Sequence, residues 1–322
     1  MKAAVIYHPG SPGELVLEER PIPTPVSGQV LVKVKAFGLN RSEIMTRKGL
    51  SPNVQFPRIL GIECVGEVEV DPSGEYQKGQ QVLALMGGMG RDFDGSYAKY
   101  ILLPKNLLHP FQSLLPWEIL GAIPEMLQTV HGSLHLALAI QKRETLLIRG
   151  ATSSVGMLAT QMARLAGLTV IATTRKAQKE QVLKGQGASY VLIDDGKIKE
   201  QVRALFPHGV NKVLELVGAT TLQDSLGCLG FGGTCCMSGM LSETWTITDF
   251  APMEFIPATV RLTVYDSGQI SSPTEVFQDF IRSVEAGRVK LPVSRVFTLE
   301  QIVQAHQYME SNQGAGKIVV LT

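Results

Sequence analysis

A run of small residues at positions 150–156, GATSSVG, could hold a phosphate group. An apolar run at 145–148 precedes it, a helical pattern of apolar residues follows it, and a second β-like run occupies 169–173. The order strand, turn, helix, strand is typical of the first half of a dinucleotide-binding unit. A pyrophosphate can lie against the N-terminus of such a helix, because the first backbone N–H groups there have no partner within the helix.

The turn departs from the G-x-G-x-x-G pattern, because Thr152 and Ser154 occupy positions where glycines could stand. Its side chains are still small enough for the backbone to approach a phosphate, and two serines add hydroxyl donors. An ordinary turn of a parallel sheet would have the same appearance. We predict that cofactor phosphates contact the following residues of the turn: Gly150, Ala151, Ser153, Ser154, Val155 and Gly156.

The composition of the 322 residues limits what the chain could do. A hydrophobic content of 44% and a charged content of 18% describe a well-cored globular protein, long enough for two domains. The net charge of +1 gives no electrostatic footprint for nucleic acid or an anionic membrane, so we expect neither as a partner. No apolar run approaches the length of about 20 residues that spans a bilayer. The N-terminal strand pattern is too short for a signal peptide, and we predict a cytoplasmic protein.

The chain divides into two regions with different patterns. Up to about Pro124, short strands are broken by proline and glycine, which predicts a small, partly open β-barrel. A helical pattern then covers residues 124–140, and strands alternate with helices from Thr145 onward, which predicts a parallel sheet with helices on both faces. The last β-like run of this region lies at 256–265. Because the tail does not continue the alternation, we predict an α/β fold in which residues 125–266 form the nucleotide-binding domain and residues 1–124 and 267–322 form the other.

This order of pieces resembles the medium-chain dehydrogenase/reductase superfamily. Its landmarks stand here as MKAAV at the start, GLNRSE at 38–43, GIECVGEV at 61–68, DGSYAKY at 94–100 and AGKIVV near the end. The stretch LIRGATSSVGMLATQMAR at 147–164 resembles the quinone oxidoreductase signature, with two serines in place of its doubled glycine. The resemblance implies a GroES-like barrel and a Rossmann-type, doubly wound parallel sheet. It also implies a homodimer in which the strand at 256–265 extends the sheet across the interface.

The metal ligands of the zinc-dependent members are replaced here. Those members carry a cysteine where this chain has Asn40, and a histidine where it has Ile62. The cysteine-rich lobe that they carry after the middle of the barrel has no cysteine here, and the four cysteines of the chain form no C-x-x-C pair. Because zinc needs three or four ligands in close geometry, we predict a zinc-independent member with no metal site.

The end of the second parallel strand favours NADPH over NADH. NAD sites place an acid there, which binds the ribose hydroxyls and repels a 2′-phosphate. Here the strand ends in Thr174 and Arg175, Lys179 follows, and no acid is present. Arginine binds phosphate through two hydrogen bonds and lysine as a point charge. A solvated basic helix start is the alternative, although cations at a helix N-terminus oppose its dipole. Many quinone reductases bind this phosphate with a tyrosine, and the matching stretch 191–194 has none.

The remaining site residues are implied by the resemblance. Thr129 stands where relatives place a threonine against the cofactor, and Ser238, Gly239 and Met240 end a strand where the nicotinamide would lie. Asn40 stands where it could donate a hydrogen bond to the oxygen of the acceptor. The alternative is that Asn40 only stabilises a turn.

The acceptor pocket is expected to be apolar and to differ from that of typical quinone reductases. Met45 and Ser51 replace two tyrosines of relatives that reduce quinones, and Met240 would line the same pocket. Glu43 and Glu63 are expected to be structural acids of the barrel.

The function that we predict is an NADPH-dependent, zinc-free oxidoreductase that transfers a hydride to a quinone or an α,β-unsaturated carbonyl compound. One alternative is a reductase of enoyl thioesters, which would need a longer pocket and usually a tyrosine acid. Another alternative is a non-catalytic sensor or scaffold that binds NADPH without oxidising it.

Overall fold

The chain passes twice between two units in the computed structural model, which describes all 322 residues. The barrel unit consists of Met1–Glu125 and Ser271–Thr322, and the parallel-sheet unit consists of Met126–Ile270. The crossings follow Glu125 and Ile270; the predicted boundaries lie after Pro124 and Asp266.

The first 125 residues form most of the barrel unit from short strands. In its longest strand, Val30, Val32 and Val34 are buried while Lys33 is exposed, as the two-residue period of a strand requires. The strands are β1 (Lys2–Ile6), β2 (Leu15–Glu19), β3 (Gln29–Gly38), β4 (Arg58–Ile59), β5 (Glu63–Val70), β6 (Gln81–Leu85), β7 (Tyr100–Pro104) and β8 (Leu108–Pro110); the helices are α1 (Arg41–Arg47) and α2 (Trp117–Leu120).

The parallel-sheet unit alternates strands and helices. Its six strands are all parallel in the order β11-β10-β9-β12-β13-β14. The middle residues of the inner strands β9 and β10, and Val213 and Leu214 of β12, are apolar and buried, as strands covered on both faces require. The elements are α3 (Pro124–His131), β9 (Thr145–Arg149), α4 (Ser154–Leu165), β10 (Thr169–Thr174), α5 (Glu180–Gly185), β11 (Tyr190–Ile193), α6 (Lys199–Leu205), β12 (Val210–Glu215), α7 (Leu222–Gly227), β13 (Leu229–Met237), α8 (Pro252–Phe255) and β14 (Arg261–Val264).

Two predicted elements of this unit are corrected. The helical pattern at 124–140 forms α3 and then a π-helical turn, Gly132–Ala137. Gly132 packs so closely on Tyr265 that a Cβ would lie 1.9 Å from Tyr265 Cζ, so only glycine fits there. The β-like run at 256–265 forms a strand only over Arg261–Val264, because Pro257 and the positive φ of Thr259 interrupt it.

The tail completes the barrel unit with α9 (Thr274–Glu285), β15 (Val293–Thr298), α10 (Ile302–Glu310) and β16 (Lys317–Leu321). Strand β16 pairs antiparallel with β3, which gives the order β15-β16-β3-β5-β6-β8, with β7 also on β3. Strands β2, β1 and β4 form a second sheet. The predicted α/β class is confirmed. The longest helices, α4 and α9, have 12 residues each, and no helix could cross a bilayer.

Candidate cofactor and acceptor sites

The turn between β9 and α4 brings backbone very close to backbone. Gly150 has a φ of +82°, a conformation that side-chain-bearing residues rarely adopt. A Cβ on Gly156 would lie 2.6 Å from Ala151 Cα and 2.8 Å from the carbonyl oxygen of Gly150. Glycine at position 156 therefore allows the first turn of α4 to pack directly on the loop that precedes it.

The N-terminus of α4 offers free backbone donors. Ser153 is the N-cap residue, and its Oγ accepts a hydrogen bond from Gly156 N at 3.1 Å. The first intrahelical hydrogen bond runs from Met157 N to the carbonyl oxygen of Ser153. The N–H groups of Ser154 and Val155 precede that bond and can point to an anion. The hydroxyl of Ser153, predicted as a phosphate donor, donates its hydrogen to the carbonyl oxygen of Gly150 at 2.9 Å.

Three cations follow β10 in a tight turn. The hydroxyl of Thr174 accepts a hydrogen bond from Lys176 N at 3.2 Å, which curls the chain after the strand. Partial burial, followed by repulsion from Lys176 and Arg175, lowers the pKa of Lys179. Like charges held this close favour an anion among them.

A buried arginine pairs with the acid beside these cations. Asp194 N donates to the carbonyl oxygen of Thr174 at 2.9 Å, so the acid lies next to the end of β10. Its carboxylate accepts two hydrogen bonds from Arg149, from Nε at 2.8 Å and from Nη2 at 2.9 Å. Burial alone would raise the pKa of Asp194, but Arg149 outweighs it and the pKa is lowered. Sequence reasoning missed Arg149, whose only signal is a charge at the end of an apolar strand.

Small polar side chains cluster where β13 ends. Ser238 Oγ lies 2.8 Å from Ser133 Oγ and 3.2 Å from Cys236 Sγ. A Cβ on Gly239 would lie 2.4 Å from the carbonyl oxygen of Leu216, so this position also needs glycine. Sequence reasoning missed Ser133, although it follows Thr129 by four positions, the spacing of one helix face. Thr129 is itself buried, and Met240 is half-buried in the same unit.

In the barrel unit, Asn40 is the N-cap residue of α1 and belongs to an ionic network. Its Oδ1 accepts a hydrogen bond from Lys317 Nζ at 2.6 Å, and its Nδ2 donates to Glu63 Oε1 at 2.9 Å. Glu63 is buried and also accepts from Glu125 N at 2.7 Å. Glu63 is thus the paired acid that was predicted. Lys317 was missed, although it lies in the family landmark AGKIVV.

Glu43 closes the first turn of α1 and is a structural acid, as predicted. Its carboxylate accepts hydrogen bonds from Asn40 N at 2.8 Å, Ile62 N at 2.9 Å and Tyr97 Oη at 2.9 Å. The first of these completes a capping box with Asn40. Burial raises the pKa of Glu43 to about 7.

The two predicted pocket residues of the barrel unit lie on and just after α1. Met45 is half-buried on the helix. Ser51 is half-buried in the loop that follows, with its Oγ 2.8 Å from Thr46 Oγ1. The structure therefore places Asn40, Met45 and Ser51 in one segment. Met240, the third predicted pocket residue, belongs to the parallel-sheet unit.

The positions that hold zinc ligands in other proteins carry none here. Asn40 and Ile62 supply an amide and an aliphatic chain, and all four cysteines are buried and free. Burial raises the pKa of Cys64 to about 12, which disfavours the thiolate that zinc needs. No group of three or more His, Cys, Asp or Glu side chains could hold a metal ion. Zinc independence stays a prediction.

Comparison with known families agrees with this architecture. A family described as "Alcohol dehydrogenase GroES-like domain" matches residues 26–113, and one described as "Zinc-binding dehydrogenase" matches residues 186–320. The chain belongs to the medium-chain dehydrogenase/reductase superfamily and is quinone oxidoreductase-like. Its relatives, which include quinone oxidoreductases, support oxidoreductase activity.

Individual relatives cover the whole chain. A quinone oxidoreductase from Homo sapiens is 26% identical, over 100% of this chain and 98% of that protein. An acryloyl-coenzyme A reductase from Sulfurisphaera tokodaii is 25% identical over 99% of both. Among solved structures, a mycobacterial protein complexed with NADPH and an NAD-dependent alcohol dehydrogenase each have a TM-score of 0.88 at 26% identity, over 100% of both chains.

Proposed function

We propose that this protein is an NADPH-dependent, zinc-free oxidoreductase that reduces quinones or α,β-unsaturated carbonyl compounds. The observation that carries the proposal is the cluster of Arg175, Lys176 and Lys179 after β10, beside an acid that is already paired with Arg149. A free acid there would bind ribose hydroxyls and repel a 2′-phosphate. The quinone oxidoreductase and the acryloyl-coenzyme A reductase among the relatives favour a conjugated acceptor.

The residues that would hold NADPH fit the group. Backbone donors of Ser154 and Val155 suit the pyrophosphate, because they point outward at the N-terminus of α4. The cations after β10 suit the 2′-phosphate, and Ser238 with Gly239 would lie beside the nicotinamide. Bound NADPH supplies a hydride, which carries two electrons and leaves the cofactor oxidised.

Asn40 is the residue that would bind the acceptor in the barrel unit. When a hydride reaches one end of a conjugated carbonyl system, an electron pair moves to the oxygen at the other end. A hydrogen bond donated to that oxygen by Asn40 Nδ2 would stabilise the developing charge. Solvent then supplies one proton, and the two-electron reduction is complete.

The second candidate is a reductase of enoyl thioesters. It is favoured by the similarity to an acryloyl-coenzyme A reductase, which extends over 99% of this chain. Such a reductase usually needs a tyrosine acid, and the tyrosine in the hydrogen-bond network of α1 is unsuited to that role. Tyr97 is buried, and its hydroxyl donates to Glu43 at 2.9 Å. Burial, followed by the charge of Glu43, raises the pKa of Tyr97 well above its usual value, which makes it a poor proton donor to a substrate.

The first test is cofactor binding, followed through nicotinamide fluorescence. We expect NADPH to bind at least about tenfold more tightly than NADH, and Arg175→Ala to abolish that preference, since a phosphate contact of this kind contributes more than about 1.4 kcal/mol. Lys184→Ala is the matched control, because Lys184 is a half-exposed cation of α5 paired with Glu180. Equal binding of the two cofactors by the wild-type protein would overturn the phosphate site.

The second test is a panel of acceptors: 1,4-benzoquinone, methyl vinyl ketone and acryloyl-coenzyme A. Turnover of the first two without the third supports the proposal, and preference for the thioester supports the second candidate. Binding of NADPH without its oxidation by any acceptor would leave the sensor or scaffold as the explanation.

A further inference from the structure

Lys317 is a buried cation in direct contact with Asn40, and the reaction as described above gives it no role. Its Nζ lies 2.6 Å from Asn40 Oδ1 and 2.6 Å from Glu63 Oε1. The side chains of Lys317 and Glu63 are 1% and 0% exposed. Burial alone would lower the pKa of Lys317, but the charges of Glu63 and Glu125 outweigh it and raise that pKa. The ammonium is therefore charged at neutral pH.

The barrel provides space for this ammonium by omitting a side chain at position 38. A Cβ on Gly38 would lie 2.2 Å from Lys317 Cε and 2.5 Å from Glu63 Oε1. The φ of Gly38 is not in the left-handed region, so the backbone does not demand glycine. Glycine is needed because the lysine occupies the room that a side chain would take.

The two charges fix which end of the Asn40 amide faces which partner. The oxygen and nitrogen of an amide have nearly the same shape, and only their hydrogen-bond partners distinguish them. An ammonium can only donate, so Lys317 must face Oδ1; an ionised carboxylate can only accept, so Glu63 must face Nδ2. Nδ2 has a second hydrogen, and the carbonyl oxygen of Gly38 lies 3.5 Å from Nδ2, which is the outer limit of a hydrogen bond.

We propose that Lys317 is a positioning residue for Asn40, which it holds with one N–H directed to the oxygen of the acceptor. The inference rests on the proposed role of Asn40. A cation on Oδ1 withdraws electron density from the amide, and this makes the remaining N–H a stronger donor. The same contact prevents the amide from rotating, and small displacements of a group that binds a reacting atom are costly in rate.

The test is the double variant Lys317→Met with Glu63→Gln, which removes both charges together. Lys317→Met alone would leave a buried carboxylate without its cation, which strongly destabilises a fold. In the double variant, the glutamine introduced by Glu63→Gln can keep its oxygen on Glu125 N, so its NH2 group faces Asn40 and requires Oδ1 in return. Reversal of the Asn40 amide would also turn Oδ1 away from Glu43 N, its partner in the capping box, so the amide has no single preferred orientation and the N–H for the acceptor is no longer held in place.

We expect the double variant to keep the melting temperature and the Kd for NADPH of the wild-type protein. Its kcat with 1,4-benzoquinone or methyl vinyl ketone should fall about 100-fold, as for the loss of one donor to a developing oxyanion. The KM for the acceptor should change little. Lys33→Met is the matched control, since Lys33 is an exposed lysine on β3, and its kcat should be that of the wild type. A double variant with wild-type kcat would overturn the proposal.

A cycle with Asn40→Ala shows whether Lys317 acts through Asn40. In the Asn40→Ala background, removing Lys317 and Glu63 should lower kcat no further, whereas a general loss of structure would multiply the two effects. If Asn40→Ala itself keeps wild-type kcat, the role of Asn40 fails and the inference fails with it, while the NADPH site is unaffected. Should the double variant not fold, Lys317→Gln with Glu63→Gln keeps polar groups at both positions without their charges; its kcat should still fall, because the cation on Oδ1 is gone, and a wild-type kcat in that variant would contradict the proposal.

Discussion

Glu43 is a buried carboxyl of the barrel unit, and its ionisation should couple the stability of that unit to pH. Burial raises its pKa from 4.5 to about 7, against the opposing effect of hydrogen bonds from Asn40 N and Ile62 N. Between these values the folded protein holds a proton that the unfolded chain has lost. The stabilisation is therefore fully present below pH 4.5 and is lost as the pH rises through about 7.

The size of the effect follows from the two pKa values, which correspond to about 3 kcal/mol of unfolding free energy. Glu43→Gln does not titrate. The unfolding free energy of the variant, relative to wild type, should therefore increase by up to about 3 kcal/mol between about pH 4.5 and about pH 8. The variant has one acceptor oxygen in place of two and so loses the hydrogen bond from either Asn40 N or Ile62 N, which costs about 1 kcal/mol at every pH and leaves the slope unchanged.

The two tryptophans allow this measurement on one unit. Trp117 lies in the barrel unit and Trp245 in the parallel-sheet unit, so a Trp245→Phe background makes the fluorescence report on the barrel unit alone. Urea unfolding in that background gives the free energy at each pH. Glu14→Gln, at an exposed site, is the control and should follow the wild type. Equal pH slopes for Glu43→Gln and wild type would refute the reasoning.

Four further outcomes are expected. His306 is buried, its Nδ1 has no hydrogen-bond partner, and its pKa is lowered from 6.5 to about 3. The protein should therefore lose unfolding free energy as the pH falls from 6.5 to about 3, and His306→Gln should reduce that loss in urea titrations. Gly156→Ala should weaken NADPH binding at least about tenfold, since its Cβ would meet Ala151 Cα at 2.6 Å; wild-type affinity in titration calorimetry would contradict this. Light scattering should give a dimer mass that Val264→Lys converts to a monomer, because β14 is an edge strand on which Val264 is 62% exposed. Metal analysis of the purified protein should find no stoichiometric zinc, and a full equivalent would overturn the zinc-free proposal.

Much of the fold could be predicted from short-range patterns. The alternation of Val30, Val32 and Val34 identifies β3, and the small residues of the GATSSVG turn between an apolar strand and a helix identify the start of the parallel sheet. Such signals depend on residues within a few positions of one another, so they can be recognised without knowing which distant residues are in contact. The same holds for the cations after β10 and for the capping box of Asn40 with Glu43.

Element ends and interruptions were less predictable, because partners far along the chain decide them. Gly132, the first residue of the π-helical turn, packs on Tyr265, and no periodicity near residue 132 indicates that contact.

The sequence by itself determined the α/β plan and the superfamily, and it predicted which residues meet a nucleotide, since those depend on local patterns and on motifs. Only the tertiary structure decided which charges meet inside the protein. Arg149 and Asp194 are 45 positions apart, and Asn40 and Lys317 are 277 apart. A lysine at the start of a strand has the same appearance in sequence whether solvent or a carboxylate surrounds it. Burial and partner, which set its charge and its role, exist only once β16 has paired with β3.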